Sequence, residues 1–276
     1  MTRVVTVANQ KGGVGKTTTA VNIAAALAQA QNQVLVIDLD PQGNASTALG
    51  IDRSAGTPSV YDVLGGEETL RAVIQECPDI SGLFGAPATV DLAGAEIELV
   101  NSQAREFRLS RAIATYLDIR ASSDERPLDY VFIDCPPSLG LLTLNGLVAA
   151  REVLLPIQCE YYALEGLSQL LRTIEMVKES LNPDLEVSAI LLTMYDGRTR
   201  LASQVTDEVR AHFGARVLST VIPRSVRVSE APSYGQTVLT YDPSSPGALC
   251  YREAAEQFAV MGQAVVDAKD SEGGTR

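Results

Sequence analysis

The chain has 276 residues, 46% of them hydrophobic, and a formal net charge of −12 at pH 7. This length suits one large α/β domain, and the acidic balance excludes a protein that coats nucleic acid through its overall composition. No window of about 20 residues is continuously apolar, and the first residues lack the long apolar region of a signal peptide, so we predict a cytoplasmic protein without a membrane partner.

Short apolar segments alternate with longer helical segments along the chain. Buried strands are predicted at residues 4–8, 34–38, 130–134, 153–157, 187–193 and 217–222. Helices are predicted at 16–30, 164–180, 200–213 and 248–268, with short helices near 60–64 and 69–76. This alternation predicts an α/β fold with a doubly wound, mostly parallel sheet and helices on both faces. We expect a single domain over residues 1–268 and a disordered polar tail at 269–276.

A glycine-rich loop, NQKGGVGKTT at residues 9–18, joins the first predicted strand to the first predicted helix. Backbone N–H groups converge in such a loop, and the helix N-terminus adds partial positive charge, so the loop can bind phosphate. Lys16 can reach the β- and γ-phosphates of a nucleotide, and the Thr17 hydroxyl can ligate Mg²⁺. The usual pattern G-x-x-x-x-G-K-[ST] is incomplete, because Gln10 stands at its first glycine. The residues predicted to bind ATP are Lys11, Gly12, Gly13, Val14, Gly15, Lys16, Thr17 and Thr18.

Three aspartates follow or end predicted strands. Asp134 ends one strand, and Asp38 and Asp40 stand at the end of another. The carboxyl ends of parallel strands form the binding edge of such a sheet, so Thr17, Asp38 and Asp134 are the predicted metal-site residues. Asp134 would hold Mg²⁺ through water. Alternation puts Asp38 and Asp40 on one side of an extended chain, and one of the two should position the attacking water.

The phosphate loop begins with a second lysine, Lys11, and in this it resembles the deviant Walker A motif of ParA/MinD ATPases. Three further segments are similar to chromosomal ParA (Soj) proteins, and the resemblance extends to about residue 262. They are DCPPSLG at 134–140, PIQCEYYALEG at 156–166 and VIPRSVRVSEAPS at 221–233. The resemblance therefore covers nearly the whole chain.

The resemblance implies a partitioning ATPase that works as an ATP-dependent sandwich dimer. In that class the extra lysine, here Lys11, reaches the partner's phosphates, so Lys11 and Lys16 would be catalytic. Asp40 would orient the attacking water, and Asp38 would support the switch segment. The ATP dimer would bind double-stranded DNA without sequence preference, over the nucleoid, until a ParB-type partner stimulates hydrolysis. The resemblance fits a chromosomal or a plasmid system.

An arginine-rich segment gives DNA binding a physical basis. Six arginines lie between residues 198 and 227 against only Asp207 and Glu208, a local balance of +4. A local cationic patch is enough for non-specific binding, because the affinity comes from displacing counterions at phosphates. By resemblance Arg198 and Arg227 are the main predicted DNA contacts, supported by Arg200 and Arg224. For the base of ATP, Thr193 and Pro223 are the predicted contacts.

Other functions share the phosphate loop. A MinD-like membrane-associated ATPase would need a basic amphipathic C-terminal helix, whereas this chain ends in the acidic and polar DAKDSEGGTR. An iron–sulfur carrier would need two suitable cysteines, and only Cys135 is suitably placed. A binding module with an inactive ATPase is disfavoured by intact Lys16, Thr17, Asp40 and Asp134. A tyrosine kinase of this lineage would carry a C-terminal tyrosine cluster, which is missing here.

Overall fold

In the computed structural model of the chain, the backbone is described for residues 1–160 and 163–273, and the side chains for 1–160 and 167–261. One sheet organises the described part. Its strands are β1 (Arg3–Val7), β2 (Val34–Asp38), β3 (Gln75–Glu76), β4 (Leu83–Ala86), β5 (Tyr130–Asp134), β6 (Glu152–Gln158), β7 (Glu186–Tyr195) and β8 (Val217–Pro223). Their order is β3-β4-β2-β5-β1-β6-β7-β8, and only the β3–β4 pair is antiparallel. The predicted fold class is confirmed.

The helices cover both faces of this sheet. They are α1 (Lys16–Gln29), α2 (Asn44–Ala48), α3 (Val60–Gly65), α4 (Leu70–Val73), α5 (Leu92–Glu98), α6 (Arg108–Ala121), α7 (Leu141–Ala149), α8 (Ala163–Ser180), α9 (Arg200–Phe213), α10 (Val226–Glu230), α11 (Val238–Tyr241) and α12 (Pro246–Gly273). One hydrophobic layer contains α1 and α12, and the other contains residues of α6, α7, α8 and α9. Every residue of β2 and β5 is buried, as expected for strands covered on both sides.

Strand β1 lies in the middle of the sheet, between β5 and β6. Helix α1 packs behind it, and the run of small alanine side chains allows a close approach. Arg3, at the start of β1, is fixed by a two-point ion pair with Glu152 of β6 and lies over the Phe258 ring of α12. The phosphate loop therefore starts from a strand that is fixed by a neighbouring strand on each side and by α1.

Two predicted elements differ from the structure. The helix predicted near 69–76 covers only α4, because Ile74 turns to an extended conformation and Gln75–Glu76 pair with β4 as an edge strand. Helix α12 continues to Gly273, beyond the predicted end at Ala268. Residues 274–276 of the predicted tail lie outside the described residues, and the tail there stays a prediction.

Candidate functional site for nucleotide and DNA

The loop between β1 and α1 has the shape of a phosphate cradle. Gly13 and Gly15 have φ angles of 75° and 86°, a left-handed conformation that strains any residue with a side chain. No atom lies within 4 Å of the position that a Cβ would take at Gly12 or Gly13, so the loop faces open space there. Because α1 begins at Lys16, its free N–H groups point toward the same space.

Two contacts fix the loop from outside. The Thr193 hydroxyl, at the end of β7, donates to the Val14 carbonyl at 2.8 Å. The Asn9 side chain accepts from the Lys11 N–H at 3.0 Å and donates to the Pro156 carbonyl at 2.8 Å. The loop is therefore held in shape before any ligand binds, which lowers the entropic cost of binding.

The two lysines of the loop differ in their surroundings. Lys16 is buried, and its Nζ donates to the Lys11 carbonyl at 3.3 Å. Burial lowers the pKa of Lys16, while the nearby carboxylates of Asp134 and Asp40 act in the opposite direction. Lys11 is partly exposed and forms an ion pair with Glu160 at 2.9 Å. The predicted reach of Lys11 to a partner's phosphates stays a prediction.

Asp38 and Asp134 are neighbours across the sheet, because they pair directly in the β2–β5 register. Asp38 is fully buried, and its Oδ2 accepts from the Ser46 N–H at 2.8 Å and the Ser46 hydroxyl at 2.7 Å. Its Oδ1 accepts from the Asp40 N–H at 3.1 Å. Burial raises the pKa of Asp38 to about 6, although these hydrogen bonds favour its charged form. Both oxygens are engaged, which favours support of the segment over direct metal ligation.

Asp134 differs from Asp38 in lacking partners. Both of its carboxylate oxygens are buried without a hydrogen-bond partner of ordinary geometry among the described residues. Burial raises its pKa well above the usual value, and the neighbouring Asp38 adds to this. The Thr17 hydroxyl and Lys16 lie near enough to act against the shift. An unpartnered buried carboxylate is costly, so this group is suited to a cation that the protein alone does not supply.

This corner of the site fits Mg²⁺. Mg²⁺ takes oxygen ligands, keeps several waters and uses one or two protein groups together with substrate phosphates. Thr17 and Asp134 provide oxygens of that kind beside the phosphate loop. Within residues 1–160 and 167–261, no group of three histidine, cysteine or acidic side chains could hold a metal ion alone.

Asp40 lies at the open side of the site. Its Oδ1 accepts from the Gln42 N–H at 3.0 Å, and its carbonyl accepts from the Gly43 N–H at 2.8 Å. These bonds form a tight turn that leads into α2. These bonds engage Oδ1 and the carbonyl of Asp40, and the orientation of an attacking water by this carboxylate stays a prediction.

A pocket of about 240 Å³ adjoins the loop on the side of β7 and β8. Its lining includes Gly15, Thr193, Ile222, Pro223 and Tyr251. The structure thus brings Thr193 and Pro223 together in one pocket beside the phosphate loop, and their contact with a base stays a prediction. Because the Thr193 hydroxyl is used by Val14, its methyl group is the part that can contact a base. Tyr251 was not predicted, since nothing in the sequence of α12 distinguishes it from core residues.

The four arginines that are predicted to contact DNA are exposed, and they follow β7 and β8 at the carboxyl edge of the sheet. Two of them have acidic partners. Arg198 pairs with Asp196 at 2.7 Å, and Arg227 pairs with Glu230 at 3.2 Å and Asp242 at 3.4 Å. Asp196 and Glu230 lie two and three residues outside the segment in which the +4 balance was counted, and Asp242 lies fifteen residues beyond its end. The sequence count therefore overstated the free positive charge.

Arg200 and Arg224 complete this surface. Both are exposed, and neither forms an ion pair with any described side chain. The Arg224 N–H donates to the Tyr195 carbonyl at 3.1 Å, which places Arg224 beside the loop of Arg198. Hydrogen bonds from Arg198 lower the pKa of Asp196 to about 2, and the charge of Arg224 has a smaller effect in the same direction. The four arginines are named below as the arginine surface.

These features define a P-loop nucleotide-binding α/β protein, and comparisons with known proteins agree. A family model described as "AAA domain" matches residues 2–187. The chain is 53% identical over 257 residues to "Chromosome partitioning protein ParA" of Caulobacter vibrioides, covering 92% of this chain and 93% of that protein. It is 49% identical over 262 residues to "Sporulation initiation inhibitor protein Soj" of Bacillus subtilis, covering 95% and 100%. The chain therefore belongs to the ParA/Soj family of chromosome-partitioning ATPases, as its sequence resemblance indicated.

One solved structure that is similar to this chain carries a name that refers to a different activity. It is "Cobyrinic Acid a,c-diamide synthase" from Mycobacterium smegmatis with bound ATP analog and magnesium. It is 42% identical, covers 93% of each chain and has a TM-score of 0.78. In the described part of this chain, no helix is both long and apolar enough to span a membrane.

Proposed function

We propose that this chain is an ATP-dependent switch for DNA partitioning in the cytoplasm, over the nucleoid. An ATP-bound dimer would hold double-stranded DNA without sequence preference, and a ParB-type partner would stimulate hydrolysis and release it. The observation that carries the proposal is the buried, unpartnered Asp134 beside Lys16 and Thr17. A passive DNA-binding protein would gain nothing from this costly arrangement.

We assign the site residues the following roles. Lys16 and the loop N–H groups would bind the phosphates, and Thr17 and Asp134 would hold Mg²⁺, Asp134 through water. When bound, Mg²⁺ neutralises charge that develops on the phosphate oxygens. Asp40 would orient the attacking water, and Asp38 would keep the Asp40 segment in place through Ser46.

Dimerisation would use Lys11. The Lys11–Glu160 ion pair is about half exposed, with side-chain exposures of 38% and 46%, and such a pair contributes about 0–1 kcal/mol. Lys11 can therefore leave Glu160 at little cost and reach the phosphates of a second subunit. Without the γ-phosphate that movement gains less, so ATP would favour the dimer over ADP.

DNA binding would use the arginine surface in two copies. Each arginine that neutralises a DNA phosphate displaces counterions, and a dimer doubles their number. A single subunit, with Arg198 and Arg227 already paired to carboxylates, would bind weakly. Because ATP would favour the dimer, this difference in affinity between dimer and single subunit would make DNA binding depend on the nucleotide.

The deciding experiment titrates DNA with the protein under three conditions: with a non-hydrolysable ATP analogue, with ADP and without nucleotide. We expect tight binding only with the analogue, and faster phosphate release from ATP when DNA and a ParB-type protein are added. Equal binding without nucleotide would contradict the proposal. Flotation with anionic vesicles in place of DNA binding would indicate a MinD-like role. ATP turnover that depends on cobyrinic acid would indicate the activity named for the solved relative.

A further inference from the structure

Contacts at two points hold the segment that carries Asp40, residues 38–48. The Asp38–Ser46 hydrogen bonds hold it on the side that faces the sheet. On the other side, the Arg53 guanidinium lies against the Gly43 backbone, so that even a methyl group at residue 43 would overlap it. Gly43 has a φ of 63° and precedes α2. The positive φ favours glycine here, and the lack of a side chain leaves room for the Arg53 guanidinium.

Arg53 is half-buried and has few polar partners among the described residues. One guanidinium nitrogen donates to the Thr47 hydroxyl at 3.3 Å, and that hydroxyl donates to the Gly43 carbonyl at 3.0 Å. The Nε of Arg53 is shielded from solvent without a hydrogen-bond partner in the described part of the chain. A planar guanidinium can stack on a flat group in this way, whereas a lysine ammonium cannot.

Arg53 is itself anchored to the edge of the sheet. The backbone N–H and carbonyl of Asp52 each form a 2.8 Å hydrogen bond with the Gln75 side chain of β3. The Asp52 carboxylate in turn accepts from the Ser54 N–H at 3.0 Å and from the Thr57 hydroxyl at 3.0 Å. Arg53 thus extends from a rigid turn onto the Asp40 segment.

We propose that Arg53 is a positioning residue for ATP hydrolysis. Its contacts among the described residues are with Gly43 and Thr47 and not with the phosphate loop or Asp40, so it would act through Gly43. The Gly43 N–H donates to the Asp40 carbonyl at 2.8 Å, so fixing Gly43 fixes the turn that aims the Asp40 carboxylate. The inference rests on the proposed role of Asp40. Since a misplacement of about 1 Å can cost up to about 100-fold in rate, loss of this contact should slow turnover without weakening ATP binding.

The test compares Arg53→Ala, Arg53→Lys and a control, Arg111→Ala, in which an exposed arginine on α6 is removed. For Arg53→Ala we expect a kcat about tenfold lower, an unchanged Kd for ATP and faster hydrogen exchange confined to residues 39–48. Arg53→Lys should resemble Arg53→Ala, because charge without the planar group does not restore the packing. The control should behave as the parent.

A normal kcat in Arg53→Ala, or full rescue by Arg53→Lys, would overturn the inference. A loss of both ATP affinity and folding stability in Arg53→Ala would also overturn it, because that pattern indicates a general structural role. Asp40→Ala separates this inference from the proposed function. If Asp40→Ala hydrolyses ATP at the parental rate, the role of Asp40 fails, whereas hydrogen exchange in Arg53→Ala still reports whether Arg53 holds the segment.

Discussion

Lys16 and Asp134 are a buried cation and a buried carboxylate in one corner of the site, and they form no ion pair with each other or with other described side chains. Burial lowers the pKa of Lys16 and raises that of Asp134. In the proposed function both groups would gain partners when phosphate and Mg²⁺ bind. Ligand binding would then offset the cost of burying two charged groups in the nucleotide-free site.

Lys16→Ala should bind ATP at least about 100-fold more weakly, because hydrogen bonds to a charged group contribute about 1.5–3 kcal/mol and a buried charge somewhat more. Titration calorimetry with the non-hydrolysable analogue measures this change. Lys178→Ala, on the exposed face of α8, is the matched control. An ATP affinity in Lys16→Ala equal to that of the parent would refute the phosphate-loop assignment.

Asp134→Asn should stabilise the nucleotide-free protein. The pKa of Asp134 is raised in the folded state above its unfolded value near 3.9, so the unfolded chain binds fewer protons between those values and stability falls as pH rises through that window. Asparagine does not ionise, and we expect a gain of about 1–3 kcal/mol in unfolding free energy at pH 8. The gain should shrink toward pH 4.

Urea denaturation in EDTA at both pH values measures this difference. Added ATP and Mg²⁺ should protect the parent against urea and should protect Asp134→Asn much less. A variant less stable than the parent at pH 8 would show that Asp134 has a stabilising partner in the free protein.

The phosphate loop and the strand-end aspartates could be predicted because each depends on a short stretch of sequence. Contacts from distant parts of the chain could not. The Thr193–Val14 bond joins residues 179 positions apart, and Ser46, which holds Asp38, resembles any serine of a polar turn. Glu160 belonged to a recognised segment, yet its pairing with Lys11 depends on how β6 ends beside the loop.

At the scale of elements, the short helices α10 and α11 determine how free Arg227 is. Glu230 lies one turn after Arg227 on α10, and Asp242 directly follows α11. If Arg227 contacts DNA as proposed, DNA would compete with both carboxylates for the same guanidinium. These helices would then influence the strength of DNA binding as well as provide one of its cations.

Asp242→Asn should tighten ATP-dependent DNA binding by up to about fivefold, the equivalent of one exposed ion pair of about 1 kcal/mol. Arg227→Glu should abolish DNA binding and keep ATP-dependent dimerisation. Fluorescence anisotropy with labelled duplex, alongside sedimentation, measures both. Asp207→Asn is the control for net charge, because Asp207 is exposed on α9 without an ion pair among described residues. Equal tightening in the control would mean that net charge alone explains the effect.

The long apolar strands could be predicted, whereas several shorter elements could not. Strand β4 has four residues and includes Gly85, a composition that favours neither strand nor helix. Helix α7 is apolar on almost every face and contains Gly146, so it shows no clear 3.6-residue period. Its place in the fold depends on burial between neighbouring elements, which local sequence does not report.

For the whole molecule, the proposed sandwich dimer leads to a quantitative prediction about the salt dependence of DNA binding. The logarithm of DNA affinity should fall linearly with the logarithm of salt concentration, with a slope of about −0.9 for each phosphate contact. Since a dimer presents every arginine twice, Arg200→Ala should reduce that slope by about 1.8. Binding measured at several salt concentrations tests this. A reduction of about half that size would indicate that one subunit of the dimer contacts DNA.

The alternation of strands and helices was enough to predict the class of fold. It was not enough to predict the strand order, in which the first strand of the chain lies at the centre. That order depends on which apolar faces bury each other once all the elements are present, and it is a property of the complete chain.

The central place of β1 also has a consequence for synthesis on the ribosome. The strand that supports the phosphate loop leaves the exit tunnel first, yet its neighbours are β5 at 130–134 and β6 at 152–158. Until both have emerged, a growing polypeptide has its nucleotide-binding loop but no framework to hold it. Such late, long-range pairing of parallel strands is slow, so we expect an unfinished chain to expose apolar strands to aggregation until the middle of the sheet closes.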